Sequence, residues 1–235
     1  MDRGIKGCVV AVGYSRPDSM QRLLSSVLAA DYGADTVDLF VSIDKGPRQE
    51  GVRLVAELAE WPYGEKNVRV LPEKLGLRPH ILSCGDLTAE YDFIVVLEDD
   101  LSVAPGFYRY ARQTVEKYGH DDGVGQISLY SHRVNVLASR LFEPEWNGYD
   151  AFTMQFAQSW GQCWTRPMWF AFRQWYDRDG RQRFESGGAP AGMPRGIASW
   201  DDHSWLKYYN AYLLDSGRTV VYPYVSLTTN HSEVG

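Results

Sequence analysis

The sequence predicts an α/β protein, an open, twisted, mostly parallel sheet flanked by helices. Three observations predict it. Short β-branched runs alternate with segments of helical spacing through the first 130 residues. The turns between them are short. Polar and acidic residues fall just after the predicted strands, where ligands sit in open α/β sheets.

Taken in order, CVVAVG (8–13) reads as a buried strand. A helix follows, opened by Pro17, with Met20, Leu23, Leu24, Val27 and Leu28 on one face. VDLFVSID (37–44) is the second strand, and Val52, Val55, Leu58 and Ala59 mark the second helix. VRVL (68–71) is the third strand, 79–87 a helix, and 93–97 the fourth strand. Pro105 opens a helix carrying Phe107, Ala111, Val115 and Tyr118, and GVGQIS (123–128) is a short fifth strand. After residue 130 the chain turns aromatic and irregular. Helical spacing returns from Pro167 through Trp175 and again at Trp205, Tyr209, Tyr212 and Leu213, and RTVVYP (218–223) reads as a last strand. The Gly-, Pro- and Arg-rich stretch 178–196 is expected to be a mobile loop. No repeat or linker divides the chain. It is read as one domain, 1–235, with a ligand-binding half (about 1–130) and a second, aromatic half (about 131–235).

Bulk composition narrows the function. The chain has 235 residues, is 44% hydrophobic and carries a formal charge of −6. That supports a sizeable core and argues against a protein built to neutralise nucleic acid. Cys8, Cys84 and Cys163 show no metal spacing and are expected to be reduced thiols. No apolar run approaches the roughly 20 residues of a membrane span. Nothing resembles a signal peptide, so a cytoplasmic setting is expected, with peripheral membrane association compatible.

The fourth strand ends in Glu98, Asp99 and Asp100. Two like charges about 4 Å apart repel by about 4 kcal/mol at an effective dielectric near 20, roughly three pKa units. A hard divalent cation, Mn²⁺ or Mg²⁺, relieves that repulsion with few protein ligands when a diphosphate supplies others. A solvated acidic turn is the plainer alternative. Ser15 and Arg16 follow the first strand and Asp44 the second, so both loops belong to the same predicted edge.

These residues resemble a known family. LEDDL followed by SVAPGFYRYA looks like the acidic motif and following helix of GT-A fold nucleotide-sugar glycosyltransferases, most like the N-acetylglucosaminyltransferase I type, whose DxD variant is EDD. GYSRP, SID, SWGQCWTRPMW (159–169), SWDDHSW and YPYVSLTTNHSEVG resemble further landmarks in the same order. The resemblance implies a metal-dependent, inverting enzyme moving a sugar, GlcNAc or a related hexose, from a UDP-sugar to a glycan or glycoconjugate hydroxyl. It implies that Arg16 and Asp44 contact the uracil and ribose, that Asp99 lies near the ribose or sugar, and that Asp100 binds the metal. Ser15, Glu98 and His80, in LGLRPHIL, join the donor site. By the same resemblance Asp202 is the base, with Asp201 second, and His231 is a further metal ligand. Trp160 and Trp164 line the site or fill the core, and Gly161 permits close backbone approach. A helix-capping reading competes at 199–202, since Ser199 precedes Asp202 by three residues. HS stands before the final Trp of SWDDHSW where the family has none, which leaves the acceptor open. A sugar nucleotidyltransferase or a non-catalytic carbohydrate-binding protein fits parts of the same pattern. GYSRPDS is poor in the glycines the first of these uses, and the second has no need of the acidic motif.

Overall fold

The computed structural model describes residues 5–135, 138–146 and 148–232. Its centre is an eight-stranded sheet in the order β3-β2-β1-β4-β10-β6-β11-β9. The first four are β1 (Gly7–Gly13), β2 (Val37–Ile43), β3 (Lys66–Val70) and β4 (Phe93–Glu98), all mutually parallel. β6 (Val124–Ser128) and β11 (Thr219–Pro223) run the same way, while β10 (Gln162–Thr165) and β9 (Ala151–Met154) are antiparallel to their neighbours. The expected sheet is therefore present and mostly parallel.

The two strands that run backwards are the two missing from the sequence reading. β10 is only four residues long and buried throughout, so it shows no period-2 alternation. It lies inside the aromatic stretch and is wedged between β4 and β6. β9 closes an edge and is half-exposed.

The helices cover both faces. α1 (Pro17–Leu28), α2 (Gln49–Leu58) and α4 (Phe107–Tyr118) share one core with Val9, Ala11, Val95 and Leu97. Met20, Leu23, Leu24 and Val27 of α1 are buried there, each worth about 2 kcal/mol of apolar transfer. The opposite face carries α3 (Leu77–Gly85), α5 (Arg166–Trp175) and α8 (Trp205–Ser216) over Cys8, Val10, Ile94 and Val96. Much of the aromatic content goes into this second core, where Trp164, Trp169, Trp205, Phe172 and Tyr209 interlock. The three cysteines are buried and free.

The stretch expected to be a mobile loop is partly helical. A π-type turn, Tyr176–Gly180, runs into α6 (Arg181–Glu185), and α7 (Arg195–Ala198) follows. Phe184 and Ile197 are buried, Phe184 belongs to the second core, and α6 packs against α8. The predicted capping box also shifts. The cap of α8 is Ser204, whose hydroxyl accepts from the Lys207 amide, and Ser199 instead closes α7. Two small antiparallel ribbons complete the fold, β7 (Val134–Asn135) with β8 (Arg140–Leu141), and β5 (Leu101–Val103) with β12 (Thr228–Asn230). Among the described residues no helix is long and apolar enough to cross a membrane.

Candidate active site

The carboxyl ends of β1, β2 and β4 open onto a cleft of about 280 Å³. Five residues singled out from the sequence line it: Arg16, Asp44, His80, Glu98 and Asp99. Val12, Tyr14 and Leu77 supply apolar walls, and Lys74 and Gly76 complete the rim. Ser15 sits half-buried in the β1–α1 loop between Tyr14 and Arg16.

The acidic strand end behaves as its charge demands. Burial pushes the Glu98 carboxyl up to about 8, the charges of Asp100 and Asp99 push the same way, and Arg16 opposes them. Asp99 is also raised by burial, again against the pull of Arg16. The Arg16 guanidinium pairs with Asp99 and lies 3.8 Å from Asp100. Arg16 therefore faces three carboxylates. The second Asp99 oxygen, Oδ2, is buried without a hydrogen-bond partner. An orphaned carboxylate oxygen beside two more acidic groups is a hard-oxygen donor set that fits Mg²⁺ or Mn²⁺. Among the described residues no three His, Cys, Asp or Glu side chains form a complete metal cage.

The C-terminal strand brings the two expected metal ligands together. β12 pairs with β5 with Asn230 opposite Leu101, and the next backbone amide, that of His231, donates to the Asp100 carbonyl at 2.9 Å. The His231 ring is exposed, with Nε2 3.0 Å from the Ser102 hydroxyl.

Asp44 plays a different part from direct ligand contact alone. Its Oδ1 accepts from the Lys45 and Leu75 amides, and its Oδ2 accepts from the Gly76 amide. It thereby ties the β3–α3 loop to the end of β2 and fixes the start of α3. Gly76 has a φ of 80° there, a left-handed conformation that glycine adopts readily. His80 is 3% exposed, and its Nε2 lies 2.7 Å from the Ser42 hydroxyl. Burial brings the imidazole down to about 4, Asp44 opposing and Arg69 reinforcing the shift.

Trp160 and Gly161 stand at the start of β10, which runs antiparallel to β4 and so begins near the end where β4 finishes. Trp160 is 37% exposed and packs edge-on against Tyr130, while Trp164 is fully buried. The close approach that Gly161 permits is to the protein itself. Its φ is 95°, and a Cβ would fall 2.7 Å from the Thr228 methyl of β12.

Asp201 and Asp202 are exposed in the turn before α8. Asp202 accepts from the Lys207 ammonium at 2.6 Å, which holds its carboxyl below the usual range, with Arg78 adding to the effect. Arg78 is on α3, next to Leu77, which lines the cleft. The Asp201 Oδ1 accepts from the His203 amide at 2.7 Å. Sequence reasoning missed Ser42, Arg69, Lys74 and Lys207. Ser42 is, with Asp38, one of two buried polar residues inside the hydrophobic strand β2, and that is the signal that would have found it.

Fold and cleft together define a GT-A type of α/β protein, with a carboxylate-rich pocket at the carboxyl edge of its parallel strands. No family model matches the chain. Among solved structures it is similar to S. aureus TarS 1-349 in complex with UDP-GlcNAc, with a TM-score of 0.59 and 13% identity over 98% of this chain and 60% of that one. The same TarS segment in complex with UDP gives a TM-score of 0.59 and 14% identity over 95% and 60%. The chain thus spans about three fifths of those structures. At that identity the likeness is one of fold.

Proposed function

We propose that this chain is a metal-dependent, inverting glycosyltransferase of the N-acetylglucosaminyltransferase I type. It moves a sugar, GlcNAc or a related hexose, from a UDP-sugar to a hydroxyl of a glycan or glycoconjugate. The observation that carries this reading is the gathering of Arg16, Asp44, His80, Glu98 and Asp99 around one cleft beyond the parallel strands. The UDP and UDP-GlcNAc of the TarS structures give a ligand class that suits such a cleft.

In this reading the apolar walls, Arg16, His80 and Asp44 with the loop it sets receive the nucleoside, and Lys74 at the rim faces the diphosphate. Asp100, with Asp99 and His231 beside it, would hold Mn²⁺ or Mg²⁺, whose positive charge offsets the charge growing on the departing UDP. Asp202 takes the proton of the acceptor hydroxyl as it attacks the anomeric carbon, with Asp201 next to it. Attack opposite the leaving group inverts the anomeric centre. The donor half is about 1–130 and the acceptor half about 131–235, where Trp160 offers an exposed aromatic face. A cytoplasmic place near a membrane surface suits a glycoconjugate acceptor.

Calorimetry with UDP and Mn²⁺ tests the reading. Binding should require the metal, and Asp100→Ala should abolish the metal-dependent part. Equal affinity in that variant would overturn it.

A further inference from the structure

We infer that Ser42 and Arg69 are positioning residues that fix His80 as a neutral ring with its proton on Nδ1, poised to donate to a carbonyl oxygen of the nucleobase. This rests on the glycosyltransferase reading for the identity of the ligand and on hydrogen-bond geometry for the rest. The parallel register of β2 and β3 sets Ser42 opposite Arg69. The Arg69 guanidinium lies over the Phe40 ring, 5.1 Å from its centroid, which holds it in place. Its Nε and Nη2 both donate to the Ser42 hydroxyl oxygen, at 3.1 and 2.9 Å. A serine hydroxyl has two lone pairs and one hydrogen. With both lone pairs engaged by Arg69, the hydrogen is left to donate, and His80 Nε2 at 2.7 Å is a stronger acceptor for it than the neighbouring Cys84 thiol, whose sulfur accepts weakly. Nε2 therefore accepts, and a neutral imidazole that accepts at Nε2 carries its proton on Nδ1.

The surroundings support the neutral form. Asp44 at the end of β2 and Cys84 on α3 stand near the ring or its relay, and Arg16, Lys74, Glu98 and Asp99 line the same cleft. The Asp44 oxygens are engaged by three backbone amides, and the Cys84 thiol lies 3.5 Å from Arg69 Nη2. Arg69 itself opposes a second positive charge next to it. His80 lines the cleft with Nε2 turned to Ser42, so Nδ1 is the nitrogen left for a ligand. A nitrogen that only donates selects a base carbonyl, as in uracil, over an amino group, as in cytosine.

The test pairs nitrogen-15 NMR of the histidine rings in the ligand-free protein with calorimetry of UDP and CDP in the presence of Mn²⁺. His80→Gln assigns the His80 signals. The wild-type ring should show a protonated Nδ1 and an unprotonated Nε2 at pH 7. Ser42→Ala should release the tautomer, weaken UDP about tenfold and narrow the UDP-to-CDP preference, and Ser42→Thr, which keeps the hydroxyl, should restore both. A wild-type proton on Nε2, or a Ser42→Ala protein with the wild-type preference, overturns the inference. If the wild type binds no nucleotide, the glycosyltransferase reading and the base selection fall together, while the ring signals still decide the tautomer.

Discussion

The His231 amide donates to the Asp100 carbonyl at 2.9 Å, one step past the last pair of the β5–β12 ribbon. The tail of the chain is thus stitched to the strand end that carries the acidic motif. The imidazole stays exposed, and its hydrogen-bond partner among the described residues is the Ser102 hydroxyl. Such a ring can turn toward an ion at Asp100 without breaking a buried contact.

His231→Ala should therefore weaken Mn²⁺-dependent UDP binding about tenfold, the lower end of what disturbed metal surroundings cost. Its melting temperature should stay near wild type, since the backbone bond survives. Calorimetry with and without Mn²⁺ checks both parts, and equal affinities in the variant and the wild type would remove His231 from the site.

Glu98 makes the metal-free protein pH-sensitive. Its folded-state pKa is raised to about 8 from an ordinary 4.5, so the native state binds more protons than the unfolded state between those values. The stability this contributes is full below about pH 4.5 and is lost as pH rises through about 8. Without metal, the urea midpoint should fall between pH 5 and pH 9, with a slope of up to about 1.4 kcal/mol per pH unit from this group. Glu98→Gln, which cannot ionise, should flatten that slope. Added Mn²⁺ should also reduce it, since a cation stabilises the ionised carboxylates and releases the proton.

How far the sequence foretold this depended on the range of the interactions. The parallel half was legible because each strand and helix announces itself by local period. The cleft was legible because strand ends collect ligands: Glu98 ends β4, and Arg16, Asp44 and Asp99 follow strands. His80 was found by resemblance, but Ser42 and Arg69, which orient it, meet only through sheet register. β10 was missed because a fully buried four-residue strand has no alternation to show. Ser204, and not Ser199, caps α8 because the chain makes one more turn after Asp202, and spacing alone does not resolve that turn. The helical turns within 176–198 were hidden by glycine and proline, although Phe184 and Ile197 are buried there.

The Asp202–Lys207 pair predicts a pH profile. Lys207 holds the Asp202 carboxyl low, so the carboxylate persists into acid. Asp202→Asn should keep UDP-sugar binding and reduce transfer by about 10² to 10⁴, the range for a positioned base. Lys207→Met should raise the Asp202 pKa and move the acid limb of kcat/KM to higher pH. A profile unmoved in Lys207→Met, together with full turnover in Asp202→Asn, would give the proton transfer to another group.

Gly161 links the aromatic half to the acidic strand end. Its φ of 95° is one an L side chain rarely adopts, and a Cβ would press within 2.7 Å of the Thr228 methyl and 3.3 Å of Leu129 Cβ. The same turn gives its carbonyl to the Leu129 amide, and the Trp160 carbonyl accepts from the Thr228 hydroxyl. Relief of the clash in Gly161→Ala therefore means pushing β12 away from β10. The variant should lose about 1–3 kcal/mol of stability from backbone strain. It should also loosen the ribbon that holds His231 beside Asp100. Urea unfolding measures the first effect, and hydrogen exchange at the Asn230 and His231 amides measures the second. A stable Gly161→Ala protein with a protected His231 amide would show that β12 is held to β5 independently of this glycine.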